Sequence, residues 1–156
     1  MNGIAPGVKA LYREAIKDYA ARLADWPPPE VVTHRAEGFN PHCGDALETA
    51  LHCREGRIAA LGFDSESCVV CHASAALMAQ VLQGIAVETV PKALESFENA
   101  LRGHIEWPEV FDEASCLEPV RDFPSRIQCA LLPWHTLAMC FHPQPTTACT
   151  EEEIPE

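Results

Sequence analysis

The chain has 156 residues, nearly half of them hydrophobic, which suits a single domain with a core of ordinary size. Its formal net charge is -12, from 23 acidic against 11 basic side chains, and a surface this acidic repels phosphate backbones, which argues against nucleic acid as a partner. No apolar run approaches the roughly 18 residues of a membrane span, and residues 1–9 lack the basic and apolar regions of a signal peptide, so a cytoplasmic location is expected.

Val8, Leu11, Tyr12, Ala15, Ile16, Tyr19 and Leu23 recur at helical spacing. They predict an amphipathic helix of about four turns, ended by Trp26-Pro27-Pro28-Pro29. Residues 31–36 read as a strand, and 39–44, with Asn, Pro and Gly, as a loop. Alternation over 45–53 puts Leu47, Thr49, Leu51 and Cys53 on one face. Arg54-Glu55-Gly56 closes a hairpin, and 57–64 returns as a strand with Ala59, Leu61 and Phe63 on one face.

Ser65 to Ser67 can cap the next helix, 69–82, which is apolar nearly all round and stopped by Gly84. A further helix is predicted over 91–102, with Pro91 in its first turn and Gly103 past its end. Residues 104–122 are polar and irregular, with room for a short helix. Ser125 can cap a last helix running to about Phe141. Helix, strands, then helices predict an α+β fold: a small antiparallel three-stranded sheet packed against helices in two layers, forming one domain over 1–141. Residues 142–156 contain Pro143, Pro145 and Glu151-Glu152-Glu153-Ile154-Pro155-Glu156 and read as a disordered acidic tail.

Eight cysteines in a chain expected to meet a reducing compartment favour metal binding or thiol chemistry over disulfides, though some will be small buried hydrophobes. Cys43 and Asp45 flank Gly44 where the loop meets the first hairpin strand, and Cys68 sits where the second meets the apolar helix. The hairpin can therefore present all of them at one edge. Cys129 lies in the first turn of the last helix, and packing of that helix could bring its thiol to the same edge. Three thiolates and a carboxylate can form a tetrahedral zinc site or hold iron. With 24 residues between Cys43 and Cys68 and 60 between Cys68 and Cys129, spacing alone leaves the site open. Cys68 and Cys129 stand near helix N-termini, which favour thiolate, and Arg126 adds positive charge one turn before Cys129.

Other readings compete. Cys68-Val69-Val70-Cys71-His72 spells the C-x-x-C-H haem attachment pattern, but that chemistry follows export. Its C-x-x-C could be a redox pair, which wants a βαβ context rather than a hairpin. The plainest reading makes Cys71 a small buried residue. Cys53, Cys116, Cys140 and Cys149 belong to no motif, and His42, His72 and His135 read as surface or hydrogen-bonded histidines.

Three strings, GFNPHCGD (38–45), SCVVCHASAALM (67–78) and FPSRIQCALLPWHTL (123–137), resemble the cysteine motifs of the U-type iron–sulfur scaffold family, which includes IscU and SufU. LYREAIKDYA (11–20) resembles that family's N-terminal helix, so the resemblance covers about residues 8–141. It implies iron–sulfur cluster assembly, with Cys43, Asp45, Cys68 and Cys129 as ligands of zinc, iron or a transient [2Fe–2S] cluster. IscU-type members carry a histidine beside the last cysteine and an LPPVK segment; here Gln128 and FPSRI stand there, and residues around 104–115 are extra. Both features resemble SufU, whose members bind zinc and accept sulfur from a cysteine desulfurase.

The resemblance thus implies Cys43 as persulfide acceptor, with Arg126 as electrostatic support. It implies a cysteine desulfurase and apo iron–sulfur proteins or other Suf components as partners, and a scaffold or sulfur acceptor rather than a conventional enzyme. The alternative is a structural zinc-binding interaction domain without sulfur transfer. The sequence departs from the family at Cys71, where serine is usual, and at Pro133, where alanine is usual. A proline inside the last helix should kink it or delay its start, at about 3 kcal/mol, and so displace Cys129.

Overall fold

A computed structural model describes residues 6–142 and 147–149. Helix α1 (Pro6–Ala21) runs into a 3₁₀ turn (Arg22–Asp25). Strands β1 (His34–Asn40), β2 (Asp45–Arg54) and β3 (Arg57–Glu66) follow, then helices α2 (Val69–Leu82) and α3 (Val90–Leu101), a 3₁₀ segment (Glu109–Asp122) and helix α4 (Pro124–Met139). A short strand β4 (Thr147–Cys149) completes a sheet of order β3-β2-β1-β4. The three antiparallel strands are those expected; β4 adds a parallel neighbour to β1 from within the segment read as tail, whose remaining residues beyond His142 lie outside the described residues.

Two local expectations change. The first strand is His34–Asn40, not 31–36, because Phe39 and Asn40 still pair with Ala46 and Asp45 and the loop shrinks to a tight turn. In β3 the inward residue near the turn is Ile58, while Ala59 is exposed. A bulge causes this: Cys53 pairs with Ile58 and His52 with Ala60, so Ala59 is the extra residue and the alternation changes phase.

The helices cover one face of the sheet. Helix α4 packs on β1 and β2, and α2 lies between α1 and α4. That position explains why α2 is apolar all round: Ala73, Ala75, Ala76, Leu77, Met78 and Leu82 are all buried. An aromatic cluster fills the far end of the core. The rings of Phe97 and Trp134 stack at 4.0 Å, Phe111 meets Trp134 edge-on at 5.6 Å, and the indole N–H of Trp134 donates to Ser74 Oγ at 2.9 Å.

The helix starts differ from the capping expected. Cys68 is the N-cap of α2, and the hydroxyls of Ser65 and Ser67 donate instead to Ala46 O at 3.3 and 3.0 Å, tying β3 to β2. Helix α4 begins at Pro124, whose fixed φ and missing N–H suit a first position, so Ser125 is not its cap. Pro133 is buried inside a continuous α4, and Cys129 keeps its place near the helix start. Among the described residues, no helix is long and apolar enough to cross a membrane.

Candidate metal centre

Three chain segments meet at one edge of the sheet: the β1–β2 turn, the β3–α2 junction and the first turns of α4. The turn is held by Asn40, which is wholly buried. Its carbonyl accepts the N–H of Cys43 at 3.2 Å, and its Oδ1 accepts the N–H of His42 at 3.3 Å. Gly44 follows with φ of +72°, a conformation that a side chain would strain, and returns the chain at once into β2 at Asp45. Cys43 is left half-buried and Asp45 only 2 % exposed.

Gly38 brings the third segment in. A Cβ on Gly38 would stand 2.0 Å from Thr136 Oγ1 and 3.0 Å from Leu132 Cδ1, so α4 rests directly on the β1 backbone. One result is that Cys129, wholly buried, lies beside Asn40, whose amide donates to Cys129 Sγ at 3.5 Å. The sulfurs of Cys129 and Cys43 are 3.0 Å apart. The donor atoms of Cys43, Asp45 and Cys129 all lie within 4.8 Å of one another. Cys68 borders this group: its N–H donates to Asp45 Oδ1 at 2.8 Å, and its Sγ is 3.9 Å from Oδ2.

The charges at this edge oppose each other. The hydrogen bond from Cys129 holds the Cys68 thiol below its ordinary range against the effect of burial, with help from the amides of Cys71 and Val70 at the helix start. The same hydrogen bond, then burial, then the contacts with Cys43 and Asp45 push the Cys129 thiol far up. The two thiols are thus pushed in opposite directions. A cation among these groups would favour all their anionic forms together. Soft thiolates with one carboxylate are a donor set that suits zinc or iron.

Other residues singled out from the sequence fall outside the donor group. Arg126 is exposed one turn before Cys129, at the rim of a groove it lines with Tyr12, Ile16, Val69 and Phe123. His42 is exposed. His72 Nε2 lies 3.0 Å from Ser65 Oγ, and burial holds its pKa down. His135 Nε2 lies 3.4 Å from Glu98 Oε1. Gln128, where IscU-type members carry histidine, is buried, and its Oε1 has no partner among the described residues. Sequence reasoning passed over Asn40 and Gly38. The signal for Asn40 was its place two residues before His42, where an Asx turn forms.

A two-layer α+β domain that gathers thiols and a buried carboxylate at one sheet edge is a metal-binding domain of the scaffold kind. The chain matches the NifU-like N-terminal domain family over residues 30–118, more than half its length, and belongs to that family. This match takes in Cys43, Asp45 and Cys68, and Cys129 lies beyond it. The chain is 32 % identical over 134 residues to the iron–sulfur cluster assembly scaffold protein IscU of Thermotoga maritima, covering 83 % of this chain and 91 % of that protein. It is 31 % identical over 100 residues to the zinc-dependent sulfurtransferase SufU of Bacillus subtilis, covering 63 % and 67 %. Among solved structures, a candidate iron–sulfur cluster assembly scaffold for the SUF system from Fervidobacterium islandicum superposes with a TM-score of 0.75 at 25 % identity, over 83 % of this chain and 95 % of that one. A NifU-like N-terminal domain from Brucella abortus shares the fold, with a TM-score of 0.74 at 23 % identity over 83 % and 90 %.

Proposed function

We propose that this protein serves iron–sulfur cluster assembly by accepting sulfane sulfur on Cys43 from a cysteine desulfurase, at a zinc site made by Cys43, Asp45, Cys68 and Cys129. The observation that carries this reading is the group of Cys43, Asp45 and Cys129, with all donor atoms within 4.8 Å and Cys68 alongside. Membership of the family and likeness to both IscU and SufU support it.

Accessibility narrows the acceptor to Cys43 and Cys68, and Cys43 stands in a turn between exposed His42 and Gly44. Cys43 and Cys68 are half-buried, whereas Cys129 is wholly buried and out of reach of a donor. The Cys43 thiolate attacks the outer sulfur of the donor's persulfide. The donor's S–S bond breaks, a new one forms on Cys43, and the donor cysteine leaves as thiolate, with no net oxidation. Bound zinc supplies the charge that keeps the thiols ionised and in place. Meanwhile Asn40 steadies Cys129, and the Cys68 N–H steadies Asp45. Arg126, exposed on the approach to the edge, offers positive charge to an anionic persulfide. The sulfur, or a [2Fe–2S] cluster built from it, then passes as cargo to an apo acceptor protein.

The test is alanine production by a cysteine desulfurase given free cysteine. The wild-type protein should accelerate it and Cys43→Ala should not; equal stimulation by both would remove the acceptor role. Tight zinc that blocks iron loading in anaerobic reconstitution supports the sulfur acceptor over a cluster scaffold. A chain that unfolds on chelation and never carries persulfide by mass spectrometry is a structural zinc domain instead.

A further inference from the structure

Beside the metal edge lies a groove whose occupant nothing above explains. Its apolar side chains include Ile16, Val69 and Phe123, and the last two are 42 % and 58 % exposed. Bare apolar surface gathered in one place marks a contact site. Around it stand Arg13, Lys17 and Arg126, against a single carboxylate, Asp122. All three cations are exposed and, among the described residues, none is ion-paired. The groove thus collects three of the 11 basic side chains of a protein whose net charge is -12. An acidic segment with an apolar residue in it would match both its floor and its rim.

The chain itself carries such a segment. Residues 150–156 read TEEEIPE, four glutamates around one isoleucine. Strand β4 aims it. This strand runs parallel to β1 with Cys149 opposite Phe39, so the chain leaving β4 heads past Asn40 toward the turn that carries Cys43. The distance left is short. The Asn40 amide reaches Cys129 at 3.5 Å, and Arg126 stands one turn earlier on α4, about 5 Å along its axis. An extended segment of the length of 150–156 spans about 23 Å. We propose that residues 150–156 fill this groove on their own molecule, with Ile154 against Val69 and Phe123 and the glutamates facing Arg13, Lys17 and Arg126. A segment so placed crosses the metal edge, and a sulfur donor that docks there has to displace it. This covering role rests on the function proposed above; the contact itself does not.

The test is methyl-detected NMR on the full chain. Nuclear Overhauser contacts from the Ile154 methyl groups to Val69 or Phe123 are expected, independent of protein concentration. Their absence, or contacts to another surface, would overturn the proposal. So would contacts seen only between differently labelled copies, because they report a second molecule in the groove. Arg13→Glu/Lys17→Glu should remove the contacts, and Glu152→Lys/Glu153→Lys on that background should restore them; contacts indifferent to both changes overturn the charge pairing and the proposal with it. In the desulfurase assay Ile154→Asp should reach half-maximal stimulation at about one fifth of the wild-type concentration, as loss of a competing contact demands. An unchanged midpoint overturns the covering role. A wild type that stimulates nothing removes the function proposed above and leaves the NMR contacts to decide this inference.

Discussion

Trp134 and Cys129 sit on the same helix, and their surroundings are built in opposite ways. Around Trp134 the partners attract: Phe97 stacks on the indole, Phe111 meets its face edge-on, and Ser74 satisfies its N–H. Around Cys129 the partners compete: other sulfurs and a buried carboxylate crowd one thiol, with Cys43 Sγ only 3.0 Å away, while the Asn40 amide donates to it at 3.5 Å. The first region stabilises the fold without help. The second is held together by its scaffold, and a cation would relieve it. Rigidity at one end of α4 therefore permits an unfavourable grouping at the other.

The strongest way to break this contrast is Trp134→Ala. Loss of a wholly packed indole should cost about 3–5 kcal/mol in urea denaturation, with or without metal. A loss below about 1 kcal/mol would mean that the aromatic cluster is not what holds α4. The edge should respond differently. Zinc at about a thousandfold over its Kd should stabilise the wild type by about 4 kcal/mol, and Cys129→Ala should abolish that gain while costing the metal-free protein only about 1–2 kcal/mol. If Cys129→Ala instead unfolds the metal-free chain, the thiol belongs to the core.

Gly38→Ala probes the joint between the two regions. Its new methyl meets Thr136 and Leu132, so it should cost about 1–3 kcal/mol and also weaken zinc binding by lifting α4 from β1. Unchanged zinc affinity, read by competition with a chelating dye, would show that the site does not depend on that contact.

The smallest effect is electrostatic and lies away from both regions. The hydrogen bond with His135, then those and the charge of Arg102, hold the Glu98 carboxyl down at about 2, against an ordinary 4.5. A depressed carboxylate contributes stability above its unfolded pKa and loses it as pH falls through the folded one. Glu98→Gln should therefore cost about 1 kcal/mol near pH 6, a figure reduced for its partial exposure, and nothing near pH 2. Denaturation midpoints at the two pH values decide this; a cost that persists at pH 2 would assign Glu98 a packing role.

Much of the fold was legible because local pattern and final structure agree. The apolar run of 69–82 is α2 to the residue, and the hairpin of 45–66 follows from alternation around Arg54-Glu55-Gly56. Where they disagree the cause is a pairing made at a distance. Phe39 and Asn40 carry loop-like neighbours but join β1 because β2 lies opposite, and the bulge at Ala59 inverts a face that simple alternation assigned. Pro133 warned of a displaced Cys129, yet packing on both sides keeps α4 continuous.

The ends of the hairpin and the start of the last helix made the donor residues candidates, but intervals of 24 and 60 residues left the site open until the resemblance to a family was added. Composition, hydrophobic period and turn residues by themselves determined the elements, the α+β class and a set of candidate thiols, because these depend on neighbours along the chain. The tertiary structure decided which thiols meet and which of them stay accessible. Those properties depend on Gly38 admitting a helix to within contact of β1 and on Asn40 reaching Cys129, contacts between residues that no local pattern relates.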